Sequence, residues 1–182
     1  VVLPDVTDRY DAASVLKACD RDAVEFLQIV GDAFARPLLD AVDSGAPIPA
    51  NLRSIISGGA VLNAGLKAEL KTTFEGVTIR DSIGSSETGV QGSNVSGKGE
   101  RVSTGDFEPA PGSTVISADM DQKLTPGSNE IGWFAMSGRV PLGYFGDAAK
   151  TSKTFPVIEH VRMSVPGDRA RLLSDGRIEV LG

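Results

Sequence analysis

The sequence is poor in cysteine and in aromatic residues, and it has no long apolar run. Cys19 is the only cysteine among 182 residues, so no disulfide can form within the chain, which suits a reducing compartment. No stretch approaches the roughly 20 apolar residues of a membrane span, and no signal-peptide pattern opens the chain. Aromatic residues make up 5% of the chain whereas glycine occurs 21 times, which favours a turn-rich α/β or β fold over a helical bundle.

The charge of the chain is acidic and evenly spread. The 18 basic and 24 acidic residues give a formal net charge of −6, and no cluster of lysine and arginine occurs, so we expect no nucleic-acid partner. His160 is the only histidine. Without a second histidine, a cysteine pair or a positioned partner, the sequence predicts neither a zinc site nor a catalytic triad.

The first 95 residues predict alternating helices and strands. Apolar residues recur at helical spacing in three segments, over 11–19, 32–42 and 63–74. Asp32 and Asn63 are the expected N-caps of the second and third helices. Strands are predicted over 23–30, 53–57 and 78–83. This alternation indicates βαβ units with a mostly parallel sheet.

The pattern changes near residue 95, beyond which no helix longer than two turns is predicted. Short β runs follow, over 113–118, 130–136, 160–165, 169–174 and 177–181. Asp175-Gly176 predicts a hairpin turn, because this pair readily supplies the backbone conformation that tight hairpins need. The predicted fold class is therefore α/β, with a βαβ layer in residues 1–95 and a small β-barrel or antiparallel sheet in residues 96–182.

The chemically most informative stretch follows the strand predicted over 78–83. Gly84 there allows a close approach that a Cβ atom would forbid. Ser85 and Ser86 offer donors for a phosphoryl oxygen, and Glu87 is a hard oxygen ligand suited to Mg²⁺. Glycine, hydroxyl and acid at the end of a strand can hold a metal–nucleotide pair, although the same residues taken alone also suit a simple polar turn.

Four short motifs, in order, resemble those of the adenylate-forming superfamily, which includes acyl-CoA synthetases, aryl-acid ligases, luciferases and peptide-synthetase adenylation domains. They are Gly58-Gly59-Ala60, Ile83-Gly84-Ser85-Ser86-Glu87, the glycine–aromatic segment 132–155, and Gly167-Asp168 with Asp175-Gly176. The resemblance covers residues 58–182 and implies a fragment of the N-terminal domain of a fatty-acid–CoA ligase.

The resemblance also implies roles for single residues. Ser86 and Glu87 would be the catalytic pair, since Ser86 would contact a nucleotide phosphate and Glu87 would hold Mg²⁺. The remaining nucleotide-binding residues would be Gly58, Gly59 and Ala60 against the adenine, Asp81 on its 6-amino group, Ile83 and Gly84 beside the base, and Asp168 on the ribose hydroxyls. At Ile83 most members carry an aromatic residue, so apolar contact would replace ring stacking here.

The activity implied by the resemblance is that of an ATP-dependent acyl-CoA synthetase of fatty-acid and lipid metabolism. A fatty or steroid-like carboxylic acid would be activated as an acyl-adenylate and passed to coenzyme A, with ATP and coenzyme A as co-substrates and Mg²⁺ as cofactor. An aryl-acid CoA ligase, a non-catalytic adenine-nucleotide-binding module and a purely structural fragment stay open as alternatives. So do the acyl chain length, the acceptor thiol and the oligomeric state.

The family's other catalytic segments lie outside the region of resemblance. Its phosphate loop lies upstream, and its hinge and C-terminal domain with a catalytic lysine lie downstream. We therefore expect that the 182-residue chain alone does not catalyse adenylation. For the parent protein we expect a cytoplasmic location, with peripheral attachment to a membrane left open.

Overall fold

The computed structural model describes residues 1–97 and 102–181, which form two compact units. Unit 1 comprises Val1–Asp81 and Val95–Thr104, and unit 2 comprises Ser82–Asn94 and Gly105–Gly182. The two-part division predicted near residue 95 stays a prediction. Within the described residues, no helix combines the length and apolarity needed to cross a membrane.

Unit 1 is built from alternating helices and strands, which confirms the predicted α/β character of this region. Its helices are α1 (Ala12–Arg21), α2 (Gly31–Asp43) and α3 (Ala64–Thr73). Its strands are β1 (Phe26–Ile29), β2 (Ser54–Gly58) and the first part of β3 (Thr78–Ser85). The strand order is β1-β2-β3, and β1 and β2 run parallel as a βαβ crossover requires.

The helix caps of unit 1 agree with the sequence at one position and differ at another. Asn63 is the predicted N-cap of α3, and its Oδ1 accepts a hydrogen bond from the backbone N–H of Leu66 at 2.9 Å. The prediction that Asp32 caps α2 is wrong, because that helix already begins at Gly31. The Asp32 carboxylate accepts instead from the backbone N–H and the side-chain amide of Asn63, at 2.8 and 2.7 Å. Asp32 thus fixes the loop that leads into α3.

The core of unit 1 is mostly apolar, but it also holds charged side chains. Fully buried side chains come from its helices and strands alike, among them Leu16, Leu38, Ile55 and Leu70. Lys67 on α3 is also buried, with a relative exposure of 1%. A buried ammonium group requires a partner, and that partner is one of the predicted site residues.

Unit 2 is an antiparallel assembly of short strands with one short helix. After β4 (Gly89–Ser96), most of which belongs to unit 2, its strands are β5 (Asp106–Pro109), β6 (Ser113–Ile116), β7 (Gly132–Ser137), β8 (Val157–Ile158), β9 (Val161–Ser164), β10 (Arg169–Leu172) and β11 (Ile178–Val180). The strand order is β4-β5-β11-β10-β7-β9-β8, with β6 also paired to β7. This is the antiparallel-sheet form of the prediction, and in the described residues the path does not close into a barrel.

Two details of unit 2 follow directly from its sequence. The turn between β10 and β11 is the predicted Asp175-Gly176 hairpin, in which Gly176 has a φ of +86° and Leu173 N–H donates to Arg177 O at 2.8 Å. The only helix described here, α4 (Ala148–Thr154), has seven residues, in keeping with the expectation of no helix beyond two turns. Strands β4 and β5 were not predicted.

Candidate active-site turn and its partners

The predicted phosphate and metal residues lie at the tip of a β-hairpin. Strand β3 ends at Ser85 and β4 begins at Gly89, so Ser86, Glu87 and Thr88 form the turn. The Ser85 hydroxyl points into this turn, where it lies 3.0 Å from Thr88 Oγ1 and accepts from the Glu87 N–H at 3.2 Å. The Ser86 side chain is exposed. Ser85 therefore holds the turn together, while Ser86 is exposed to solvent.

Gly84 is needed for the pairing of the two hairpin strands. A Cβ atom at this position would lie 2.1 Å from the carbonyl oxygen of Gly89, which is far inside van der Waals contact. The neighbouring Ile83 packs against the apolar cluster of unit 2 that contains Val115 and Phe134. Both residues thus have a structural role in the hairpin, whatever they contact in a ligand.

Glu87 is half-buried and has a specific partner, Tyr144. The Tyr144 hydroxyl donates a short hydrogen bond of 2.5 Å to Glu87 Oε1. This bond is the main reason why the pKa of the Glu87 carboxyl lies below its usual value, and the positive charge of Lys150 contributes in the same direction. The same bond raises the pKa of the Tyr144 phenol. The turn therefore carries a carboxylate that stays ionised at neutral pH.

The donor set of this turn suits a magnesium ion that arrives with a nucleotide. Mg²⁺ is usually bound by one or two carboxylates together with substrate phosphates and water, rather than by a cage of protein ligands. Across residues 1–97 and 102–181, no three or more acidic, histidine or cysteine side chains gather as a metal site. A single ionised Glu87 beside an exposed hydroxyl fits the first kind of site.

Asp168, the predicted ribose ligand, lies in unit 2 immediately before β10. Its backbone carbonyl accepts a hydrogen bond from Phe134 N–H at 2.8 Å, which ties the residue to the neighbouring strand β7. The side chain is half-buried. Its position is thus set by the backbone, and its carboxylate is not needed for that anchoring.

The remaining predicted residues belong to unit 1. Gly58 ends β2, Gly59 adopts a φ of +84° that favours glycine, and Ala60 is exposed. Asp81 lies in β3 and is buried, with a relative exposure of 4%. Its Oδ2 is 2.7 Å from the ammonium of Lys67, so the carboxylate predicted to contact adenine is also half of a buried ion pair.

Sequence reasoning gave no role to Tyr144 or Lys67, the two residues that contact the predicted acidic side chains. Tyr144 stands in the glycine–aromatic segment that carries the resemblance, which was the available signal. Lys67 follows Leu66 in α3, and the only signal in the sequence was a lysine on the apolar side of this helix. Within unit 2 the structure joins Glu87 to Tyr144, whose ring lies under Lys150, and within unit 1 it joins Asp81 to Lys67.

The chain is similar along its whole length to part of several curated ligases, although no protein-family model matches it. It is 46% identical over 182 residues to a medium-chain acyl-CoA ligase of Mycobacterium avium, and spans 33% of that protein. It is 36% identical over 179 residues to a 3-oxocholest-4-en-26-oate–CoA ligase of Rhodococcus rhodochrous, and spans 32% of it. The chain therefore covers about a third of these relatives.

The fold is also found in solved structures of more distant sequence. The nonribosomal peptide synthetase FmoA3 matches 98% of the chain with a TM-score of 0.83 at 22% identity, the chain spanning 20% of that protein. A luciferase-like enzyme of the mealworm Zophobas morio matches 95% with a TM-score of 0.73 at 14% identity, the chain spanning 40% of it. By sequence, the chain is thus similar along its length to a part of several acyl-CoA ligases, and it shares its fold with a part of these two solved structures.

Proposed function

We propose that the protein containing this chain is an AMP-forming acyl-CoA ligase whose substrate is a fatty or steroid-like carboxylic acid. The observation that carries the proposal is the alignment of the whole chain, at 46% identity, with a ligase named for medium-chain acyl groups. Other relatives are named for medium- and long-chain fatty acids together with a steroid acid. Since ATP and coenzyme A are the co-substrates of such a reaction, we expect the protein in the cytoplasm, where both are available.

The proposed reaction has two steps. A carboxylate oxygen of the acid attacks the α-phosphorus of ATP, and the bond to the β-phosphate oxygen breaks to release pyrophosphate. The thiolate of coenzyme A then attacks the acyl carbon, and AMP leaves with the electron pair of the broken bond between the acyl carbon and the oxygen of the mixed anhydride. Both steps depend on positioning and on neutralisation of negative charge more than on a protein nucleophile.

In this proposal the turn of unit 2 serves the phosphates. The exposed Ser86 hydroxyl would donate to a phosphate oxygen, and the ionised Glu87 would be a ligand of Mg²⁺. That ion, when bound, would offset the charge of the phosphates. The low pKa of Glu87 supports this role, because a protonated carboxyl binds Mg²⁺ poorly.

The remaining predicted residues would contact the nucleoside. Asp168 would accept from the ribose hydroxyls, with Ile83 and Gly84 beside the base. Residues Gly58 to Ala60 would lie against the adenine, and Asp81 would accept from its amino group. Support for the first role is the backbone anchoring of Asp168, and support for the glycine pair is the open backbone at Gly59.

The complete protein tests this proposal when it is incubated with Mg·ATP, coenzyme A and single carboxylic acids. We expect pyrophosphate and acyl-CoA in equal amounts with medium-chain fatty acids, and we expect less or none with benzoate. A 3-oxo-steroid acid in the same panel separates the fatty-acid from the steroid specificity. Folded protein that releases no pyrophosphate with any of these acids would overturn the proposal.

A further inference from the structure

The backbone of Tyr144 is held by hydrogen bonds between its own chain segment and helix α4. Its backbone N–H donates to Thr151 Oγ1 at 2.9 Å, and Thr151 Oγ1 donates in turn to the carbonyl of Asp147 at 2.6 Å. The Asp147 side chain caps α4 by accepting from the N–H of Lys150. These bonds fix the backbone of Tyr144 relative to the first turn of the helix.

The ring of Tyr144 is held on two further sides. The Lys150 ammonium lies over the ring, 4.1 Å from its centroid, and the Phe155 ring packs against it at a centroid distance of 5.5 Å. Gly143 brings the segment close to the helix, because a Cβ atom there would lie 2.5 Å from Thr151 Cγ2. Backbone and ring are thus both restrained, and the phenol hydroxyl donates to Glu87 Oε1.

We propose that Tyr144 is a positioning residue for Glu87, which it holds through one carboxylate oxygen in the orientation that receives a nucleotide-bound divalent cation. The inference rests on the proposed function and adds a residue to it. A glutamate at a turn has three side-chain torsions to restrain, and a fixed donor on one oxygen restrains them before the cation arrives. Partners of this kind are worth about ten- to a hundredfold in metal affinity when they are removed.

The competing interpretation is that the bond only fastens the α4 segment to the hairpin. A hydrogen bond from a neutral donor to a carboxylate can connect two segments and also orient the carboxylate. The two interpretations therefore differ in which properties change when the bond is lost. If the bond only connects the two segments, its loss lowers the stability of the protein and weakens the binding of every ligand at the turn. If the bond positions Glu87, its loss weakens the binding of the cation and leaves the affinity for a metal-free nucleotide unchanged.

The test is the Tyr144→Phe variant of the complete protein, which removes the hydroxyl and retains the ring on Lys150 and Phe155. Mn²⁺ serves as the probe, together with α,β-methylene-ATP, which resists cleavage at the α-phosphate. Free Mn²⁺ is measured by electron paramagnetic resonance. We expect about ten- to a hundredfold weaker Mn²⁺ binding to the nucleotide complex, with unchanged affinity for AMP in the absence of metal.

Tyr10→Phe is the matched control. Tyr10 also packs on a phenylalanine ring, at 4.1 Å from the Phe34 centroid, and its hydroxyl donates to the Phe34 carbonyl at 2.9 Å. It lies in unit 1, whereas Glu87 lies in unit 2. We expect its loss of a phenol hydrogen bond to leave Mn²⁺ binding at the wild-type value.

Three results would overturn the inference. The first is wild-type Mn²⁺ affinity in Tyr144→Phe, and the second is an equal loss of AMP and Mn²⁺ affinity in that variant. The third is wild-type protein that forms no acyl-CoA and binds no Mn²⁺–nucleotide complex, which would remove the proposed function as well. If the wild-type protein forms acyl-CoA normally and Tyr144→Phe has unaltered Mn²⁺ affinity, the positioning role of Tyr144 is refuted and the proposed function stands.

Discussion

The thiol of Cys19 is in an environment that suppresses its reactivity. The side chain is 5% exposed, and burial, followed by the negative charge of Asp22, raises its pKa. Because the thiolate is the reactive form, a raised pKa leaves little of it at neutral pH, and burial limits access to that remainder. Cys19 is thus a core residue of α1, as expected for a cysteine on the apolar side of a helix.

We predict that iodoacetamide does not label Cys19 in the native protein at pH 7.5, and that labelling becomes complete once guanidinium chloride unfolds the chain. Peptide mass spectrometry of the digested protein gives the extent of reaction at this position. A free-cysteine peptide in the same tube serves as the reactivity standard. Native labelling of Cys19 at the rate of that peptide would contradict the assigned environment.

The residues of the candidate turn show which chemistry a sequence can reveal. Glycine, hydroxyl and acid follow one another in the chain, so their meeting in one turn could be predicted. The sequence could not show which of the two serines is exposed, because this depends on the hydrogen bond between Ser85 and Thr88. Tyr144 is 57 positions from Glu87, and only the folded arrangement of α4 brings them together.

Helix α3 and strand β3 are joined by the buried ion pair of Lys67 and Asp81. The ammonium also donates to the carbonyl of Ser103 at 2.7 Å, so one side chain connects the helix, the strand and a following loop segment. Withdrawing both charges from water is costly, and the cost is offset only while both partners are present. The pair is therefore sensitive to the loss of either member.

We predict that Lys67→Met lowers the free energy of unfolding by about 3–5 kcal/mol, since it leaves the Asp81 carboxylate buried without its ammonium partner. Urea unfolding of the complete protein measures the change. Glu69→Gln is the control on the same helix, because it breaks the ion pair between Glu69 and Arg36. The side chains of this pair are 49% and 48% exposed. That exposed pair should contribute at most about 1 kcal/mol. Equal losses in the two variants would contradict a buried, structural Lys67–Asp81 pair.

The two predicted N-caps of unit 1 show how far local sequence can predict where a helix begins. Asn63 and Asp32 are both good N-cap residues that precede apolar, helical patterns. Only Asn63 caps its own helix, whereas Asp32 binds Asn63 across the unit. The difference is tertiary: Gly31 opens α2 one residue early, packed where a Cβ atom would lie 2.4 Å from Val61 O.

For the whole molecule, the sequence predicted the types of secondary structure better than the pairing of strands. Periodic helices and β-branched strands in the first part are local patterns, and they appear where expected. Strands β4 and β5 carry glycine and proline, as in Gly92 opposite Pro109, and lack the alternation by which strands are found. Their pairing comes from partners far along the chain, such as Ile178 opposite Phe107.

A ligand that binds only the folded protein stabilises the whole cooperative unit, so a ribose contact can be measured as stability. At an AMP concentration one hundred times its dissociation constant, the gain is about 2.7 kcal/mol. We predict that Asp168→Ala in the complete protein weakens AMP binding by about 1–3 kcal/mol, since buried ribose hydroxyls would lose their acceptor.

A tenfold weaker binding, at the same AMP concentration, would reduce the stabilisation to about 1.4 kcal/mol. Thermal unfolding with and without AMP would therefore show about half the wild-type shift in Asp168→Ala. Asp175→Ala is the control, because this carboxylate lies seven residues further on and binds Arg177 at 2.9 Å within its own hairpin. Its loss lowers the unfolding temperature of the free protein and leaves the AMP-induced shift intact. A full shift in Asp168→Ala would place the ribose elsewhere, because stabilisation by a ligand responds only to groups that distinguish the bound from the free protein.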